Sequence, residues 1–438
     1  MSVELKRNDA IERYVASAEK IIARKENSFL SQLQSDAKNE LSEMKFPTLK
    51  TEEWKYTNLK VLLNSEFVHS TEFDEAEISS NDVNKYRFNN FESYLLVVVN
   101  GVLNKELSDI EELNKEIFVS TITEASEAYP ELVEKHLSKI AVDKTAFDYL
   151  NLANFIDGLF IQIPNGKVLD KPIQILNLSD SKGKELFTPS RNLIVVGENS
   201  EVSIIQKYVG LTEERYFNNI STEIFIEQNG KLNIYKVELE NNNSFHIDKT
   251  DVLQSRDSNF NHFNFAFGGK LVRTDINTEL DGENIEATLN GLYIGNDEQH
   301  IDNNTFINHA KPHSTSNELY KGILNGNSHG VFSGKILVER DAQQTNAYQN
   351  NNTILLSDDA NIDTKPQLEI YADDVKCTHG ATVGQLDESA MFYILSRGIP
   401  REKAKQMLIN AFAGSVVEGV KIEGLREEIN NLISERLR

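Results

Sequence analysis

Cysteine is nearly absent from this 438-residue chain: Cys377 is the only one. A single thiol cannot close an intrachain disulfide, which fits a reducing compartment and points to the cytoplasm. Long apolar runs are missing too. No stretch approaches the roughly 18 residues that a membrane-spanning helix needs. The first residues, Met1-Ser2-Val3-Glu4-Leu5-Lys6-Arg7, have no apolar core of a secretory leader, so no export signal is expected. Positive charge is in short supply. Lys and Arg total 45 against 68 Asp and Glu, a formal charge of −23 with a pI near 4.9. Such a field repels phosphate backbones and argues against nucleic acid as a partner. Nucleotide hydrolysis lacks its signature as well. Gly268-Gly269-Lys270 has neither the upstream glycine nor the following hydroxyl of a phosphate-cradling loop. A Gly-x-Ser-x-Gly turn for serine acyl transfer is also missing.

What is present suffices for two or three domains. From about residue 9 to 44, Ile11, Val15, Ala18, Ile22 and then Phe29, Leu33, Ala37, Leu41 recur at steps of three and four. They predict one amphipathic helix or a pair, stopped by Pro47. The segment 51–57 holds the lone tryptophan, Trp54, with Tyr56, and reads as an anchor to a core. Residues 94–99 read as a buried strand closed by Asn100-Gly101, residues 125–140 as a helix with Pro130 near its start, and 147–155 as a short helix. The character then changes. Strand-like runs at 193–196, 202–208, 220–227, 232–237, 260–267, 285–289 and 331–338 alternate with glycine turns, and no amphipathic helix interrupts them. This leaves a β-solenoid or a pair of stacked β domains. The amide-rich stretches 343–346 and 349–352 favour the solenoid, where amides can ladder between turns, although no strict repeat is visible. Past Leu386 the pattern is helical. Ala404, Met407, Leu408, Ala411, Phe412 and Val416 form one apolar stripe, and Leu425, Ile429, Leu432, Ile433 and Leu437 another. Two stripes on so short a tail leave one available to a partner, and the tail reads as separable from the solenoid. The division is thus 1–155, largely helical; 156–386, β-solenoid; and 387–438, helical.

The stretch 370–386 lies on the last of these boundaries. It holds Cys377, with His379 two residues on and the acidic pair Asp373-Asp374 just before. Extended chain places residues i and i+2 on one face, roughly 6–7 Å apart. A thiolate beside an imidazole can ligate a metal or act as a redox or nucleophilic pair, and a small buried hydrophobe beside a turn-capping histidine is the plain alternative. His309 and His313 have the i,i+4 spacing of a helical metal pair, but Pro312 between them argues against the helix. His262, His300 and His329 are scattered and read as loop histidines.

Residues 372–388 resemble the SufB/SufD family of iron–sulfur cluster assembly scaffolds, on its SufD side. The likeness continues through Phe392-Tyr393, Ser396-Arg397-Gly398-Ile399, residues 404–412, Asn346-Ala347-Tyr348-Gln349 with Asn351, and Glu52-Glu53-Trp54-Lys55-Tyr56-Thr57. SufB-type members carry further cysteines that this chain lacks. The resemblance implies a mainly β protein with α: a right-handed parallel β-helix flanked by an N-terminal α/β, largely helical domain and a C-terminal helical domain. It also implies a non-catalytic scaffold subunit that pairs with a SufB-like chain and a SufC-like ATPase, or with itself when alone. The nascent cluster would form at the subunit interface. Position within the motif maps the interface histidine onto His379, with Cys377 its neighbour, as ligands shared with the partner. Arg397, Met407, Ala411 and Phe412 fall where the ATPase would dock. One cysteine cannot supply the roughly four thiolates of a cluster. No cofactor is therefore expected on the chain alone, only iron or a cluster transiently in the complex. A solenoid polysaccharide lyase or hydrolase is the alternative, but the expected export signal and clustered carboxylates with Arg or Lys are missing.

Overall fold

The computed structural model describes residues 3–23, 28–72, 78–141 and 144–437. From Leu159–Ile163 to Val375–Gly384, sixteen strands alternate between two parallel sheets, two per turn, giving a β-solenoid of eight turns. Stacking is in register. Glu201, Lys231, Asn259, Glu286, Thr315, Asn346 and Lys376 lie one above another. The interval between these stacked residues varies from 27 to 31, which is why the sequence shows no fixed period. The extra residues sit in turns. Asn199, Asn229, Asp257 and Asn284 there adopt the left-handed conformation that short amide and carboxylate side chains tolerate. Asn229 Nδ2 donates to Asn199 Oδ1 at 2.8 Å and Asn284 Nδ2 to Asp257 Oδ1 at 2.9 Å between turns; of the segments expected to ladder, Gln349 donates to Glu318 one layer below and Asn352 accepts from Thr382 one layer above.

Val202, Ile204, Leu232, Ile234, Phe260 and Leu289 of one sheet meet Ile276, Ile307, Phe332 and Ile336 of the other inside the solenoid. The outer faces are covered as well. Helices Val3–Ile22, Ser28–Glu43 and Ala146–Asn154 bring Tyr14, Leu41 and Phe147 onto Phe187, Phe217 and Phe245 of the first sheet. Helices Arg401–Val417 and Glu423–Arg436 lay Ile409, Val416, Leu425, Ile429 and Ile433 on Tyr235, Phe263, Leu292 and Ile323 of the second. Strands buried on both faces read as continuous apolar runs, as 193–196 does. The strands Leu271–Leu280, His300–His309 and Thr315–Leu324 mix Asn, Thr and Asp into that pattern, and the sequence reading passed over them.

The structure corrects three expectations and bears out one, that His309 and His313 do not pair. Residues 125–140 are not one helix but parts of two, Ile122–Ala128 and Pro130–His136, because Pro130 cannot donate into a preceding turn and instead opens the second helix. His262, His300 and His329 stand on strands rather than in loops. His309 ends a strand and donates to or accepts from Ser316 Oγ at 2.9 Å, while His313 turns away at φ 66°, so the two do not form a pair. The first tail helix turns a different face to the second sheet than the stripe predicts: Ile409, Ala413, Val416 and Val417 pack there with Phe412, while Met407 and Ala411 point out; the second stripe packs as a whole, and the tail's large exposed apolar side chains are Phe392, Tyr393 and Met407.

The two ends of the solenoid differ. At the N-terminal end the outermost strands are short and reversed: Val102–Asn104 pairs antiparallel with Tyr94–Val99, and Phe118–Thr121 pairs antiparallel with Leu159–Ile163. At the other end the final strands, Asn361–Ile370 and Val375–Gly384, each have a strand on one side only among the described residues.

Charge is also buried inside the solenoid. Lys236 Nζ lies 2.7 Å from Glu238 and 3.1 Å from Asp248, and His246 Nδ1 lies 3.1 Å from Glu240. Burial works against the His246 charge, but the Glu240 carboxylate and then Glu238 outweigh it and hold the imidazolium up to about 10. The fold therefore keeps a proton that the unfolded chain releases near pH 6.5, and this contribution is complete below that pH and lost as pH rises through 10. Between pH 6.5 and 8 the unfolding free energy should fall by roughly 1 kcal/mol per pH unit. Urea titrations of wild type and His246→Gln check this: the slope should flatten in the variant, and an unchanged slope would remove His246 as its source.

Candidate functional site at the open end

The last turn presents the site. Val375–Gly384 is extended, as the sequence predicts, and pairs Ala347 with Cys377 and Gln349 with His379. Ala347 and Gln349 are fully buried, so this register points both Cys377 and His379 toward the solenoid interior. Val375 and Cys377 pack partly against the interior core. His379 has the same orientation but is exposed, because no described strand lies over it. Pro366 sits in the other final strand, paired to Gly334, a position suited to proline since an edge strand can spare an amide. Around the rim Tyr348, Ile370, Tyr371 and Val383 expose large apolar surface, an arrangement that marks an interaction surface.

Cys377 and His379 are brought together, and nothing more joins them as a ligand set. Among the described residues no group of three or more His, Cys, Asp or Glu side chains is placed to hold a metal ion. Asp374 has its amide on Gln343 Oε1 at 2.9 Å and its carbonyl on the Gln344 amide at 2.6 Å, which holds it in the turn before the strand. Two donors fall short of the about four that a metal ion or cluster usually takes.

Directly after the strand, Asp387 caps helix Glu388–Ser396 by accepting from the Ser389 and Ala390 amides at 2.8 and 3.1 Å. The cap turns the chain outward, so Phe392 is 74% and Tyr393 59% exposed. Arg397 Nη2 donates to the Tyr393 hydroxyl at 2.6 Å, and Gly398 ends the helix at φ +78°. Met407 and Ala411 are exposed on the next helix. Phe412 is half-buried instead: its carbonyl accepts from Lys321 Nζ at 2.7 Å and its ring lies under the same ammonium.

The other sequence motif, 51–57, has a structural place. Trp54 is buried, stacked on Phe147 at 5.1 Å with the Arg273 guanidinium 3.8 Å over its ring. Arg273 also donates to Asp302 and to the Glu53 carbonyl, and the Thr57 hydroxyl donates to Asp302 at 2.5 Å. The anchor extends to the open end, where Lys365 of the last turn pairs with Glu52. A cleft of about 940 Å³ lies alongside, and its cations are paired: Lys249 with Asp148, Arg273 with Asp275, Lys335 with Glu369. Sequence reasoning missed these pairings; Arg273, Asp275 and Asp302 come from strands it had passed over.

Residues 178–412 match the family described as SUF system FeS cluster assembly, SufBD core domain, and residues 6–175 match the SufBD protein N-terminal region. The chain belongs to the SufBD family. SufD of Escherichia coli, an iron–sulfur cluster assembly protein, is 32% identical over 393 residues, 89% of each chain. An iron–sulfur cluster assembly SufBD family protein of Synechocystis is 30% identical over 417 residues, 93% of this chain and 91% of that one. SufD of Bacillus subtilis is 27% identical over 341 residues, 77% of this chain and 76% of that one. Within this SufD-like SufBD protein, both family regions lie on one continuous pair of sheets, since strand Tyr94–Val99 of the N-terminal region pairs parallel with Ile173–Ser179.

Burial pushes the Cys377 thiol up from its usual range, offset in part by a hydrogen bond at the Ala347 backbone. At pH 7.5 iodoacetamide should therefore alkylate native Cys377 at least about threefold more slowly than free cysteine, and unfolding should abolish the difference. Mass spectrometry of timed aliquots gives the rate. A native rate above that of free cysteine would mean an activated thiolate.

Proposed function

We propose that this SufBD protein is a non-catalytic scaffold subunit of a SufBCD-like complex. Its open end pairs with a SufB-like subunit, its C-terminal helices dock a SufC-like ATPase, and the nascent cluster forms where the solenoid ends meet. The observation that carries this reading is His379, aimed along the interior face yet exposed, beside half-buried Cys377 on a final strand with a free edge. Free backbone groups on two parallel edges favour another solenoid as the covering partner. The same edge supports a two-fold homodimer in the partner's absence. Iron and sulfide are cargo here: His379 as neutral imidazole supplies one nitrogen donor, and the partner's thiolates complete the shell. A cytoplasmic location agrees with the lone cysteine.

Complexes purified without oxygen test the site through their visible cluster absorbance. His379→Ala should assemble with its partners but lose most of the cluster, and Cys377→Ser should lose less. A normal cluster load in the His379→Ala complex would refute the assignment.

The ATPase dock is supported by Phe392 and Tyr393, exposed next to Arg397, with Met407 and Ala411 exposed on the following helix. Phe412 contributes through the packing that fixes this helix on Lys321. Deleting the tail would uncover the second sheet, so point substitutions are the right probe. Phe392→Asp with Met407→Asp should weaken ATPase binding at least about tenfold, or roughly 1.4 kcal/mol. The melting temperature should stay within about 3 °C of wild type. Calorimetric titration giving unchanged affinity would place the dock elsewhere.

A further inference from the structure

We propose that Gln349 is a positioning residue for His379 in the complex: its side-chain carbonyl, unpaired in the chain alone, accepts one imidazole N–H when a partner covers the open end and leaves the other ring nitrogen's lone pair facing out of the solenoid. This inference rests on the reading of His379 as the residue that faces the cluster.

Three successive strands stack Glu318, Gln349 and His379 directly over one another, with about 4.8 Å between layers. All three positions belong to the inward row, and Glu318 and Gln349 are fully buried. Beneath Glu318 the row becomes apolar at Leu289. The polar column therefore serves only the last layers, where the interior reaches the open end.

The column has a direction. Gln349 Nε2 donates to Glu318 Oε2 at 2.5 Å. With its nitrogen committed downward to Glu318, the amide leaves its carbonyl over. That carbonyl oxygen, Gln349 Oε1, is buried with no hydrogen-bond partner in the chain. An unpaired buried acceptor costs about 1–3 kcal/mol. The layer above it is Val375–Gly384, and the side chain in register there is His379. Burial pushes the Glu318 carboxyl up to about 7, and its Oε1 has no hydrogen-bond partner among the described residues.

The opposite sheet makes room for this placement. A Cβ on Gly334 would lie 2.3 Å from Gln349 Nε2, closer than any side chain allows. Glycine at 334 thus leaves the slot through which the Gln349 amide crosses the interior. A histidine that ligates through one nitrogen needs its other N–H engaged, and such a partner fixes both tautomer and ring orientation. Asp374, the nearby acid, is held in the preceding turn by Gln343 and Gln344.

The test uses the full chain bound to its solenoid partner, free of cluster, with nitrogen-15 histidine. Ring nitrogen resonances report the tautomer, and His379→Ala identifies the signals. Wild type should show His379 predominantly as one tautomer. Gln349→Leu keeps the volume and removes the acceptor, and should give both tautomers in comparable amounts together with an at least fivefold lower cluster load on reconstitution. Gln349→Glu restores an acceptor and should restore the single tautomer. Gly334→Ala displaces the amide without deleting any polar group and should mimic Gln349→Leu, which keeps the test available if the leucine variant folds poorly. An unchanged tautomer ratio in both Gln349→Leu and Gly334→Ala overturns the inference, even if His379→Ala abolishes the cluster. A normally loaded His379→Ala complex refutes the cluster-site reading instead, and the tautomer ratios still decide what Gln349 does.

Discussion

A strand in a parallel solenoid has its amides and carbonyls satisfied by the strand one turn before and the strand one turn after. Every other feature of this molecule depends on that relay. It fixes the register in which Glu201 through Lys376 stack, and it makes the ends the only places where the backbone is left wanting. At one end the outermost strands are short and reversed. At the other the relay stops at Asn361–Ile370 and Val375–Gly384, and the chemistry-bearing pair Cys377 and His379 stands on the second of these. The site is thus a product of unfinished backbone pairing as much as of side-chain identity.

The interior is not uniformly apolar, and its charges reinforce the register. Inside the solenoid the Lys236 cluster is fully buried, and on the outer face of the first sheet, beneath the N-terminal helices, Arg191 and Glu223 are almost completely buried and 2.6 Å apart. Such pairs add little net stability over apolar residues of the same size, yet separating one is costly. A slip of one turn would strand these charges without partners. Turns of unequal length can therefore stack without ambiguity, although no repeat in the sequence marks where each begins.

Much of this was legible in the chain itself. The glycine-punctuated strands with no helix between them, together with the amide-rich segments, favoured a solenoid over stacked β domains. The i,i+2 spacing of Cys377 and His379 put them on one face, and the shared motifs named the family. What stayed hidden depended on long-range partners. Both outer sheet faces are covered by helices from distant parts of the chain, and no local pattern says which strand a stripe such as Leu425, Ile429 and Ile433 will cover. His262, His300 and His309 read as loop residues because burial of a histidine follows from what lies over it, and not from its neighbours in sequence. The lock between Arg273, Asp302 and Thr57 joins residues far apart in the chain, each ordinary in its own context. Gln349 looked like one more amide in a polar run until the register set it over Glu318.

The difference between the ends also bears on how copies can join. Fibres of stacked solenoids grow because each unit offers a donor edge and an acceptor edge, so that addition at one creates a new site at the other. Here the two termini are unlike: parallel strands of ten residues stand at one, and the three- and four-residue antiparallel strands Val102–Asn104 and Phe118–Thr121 at the other. A short antiparallel edge is a poor template for a long parallel one, so head-to-tail stacking of copies is disfavoured by the shape of the far end.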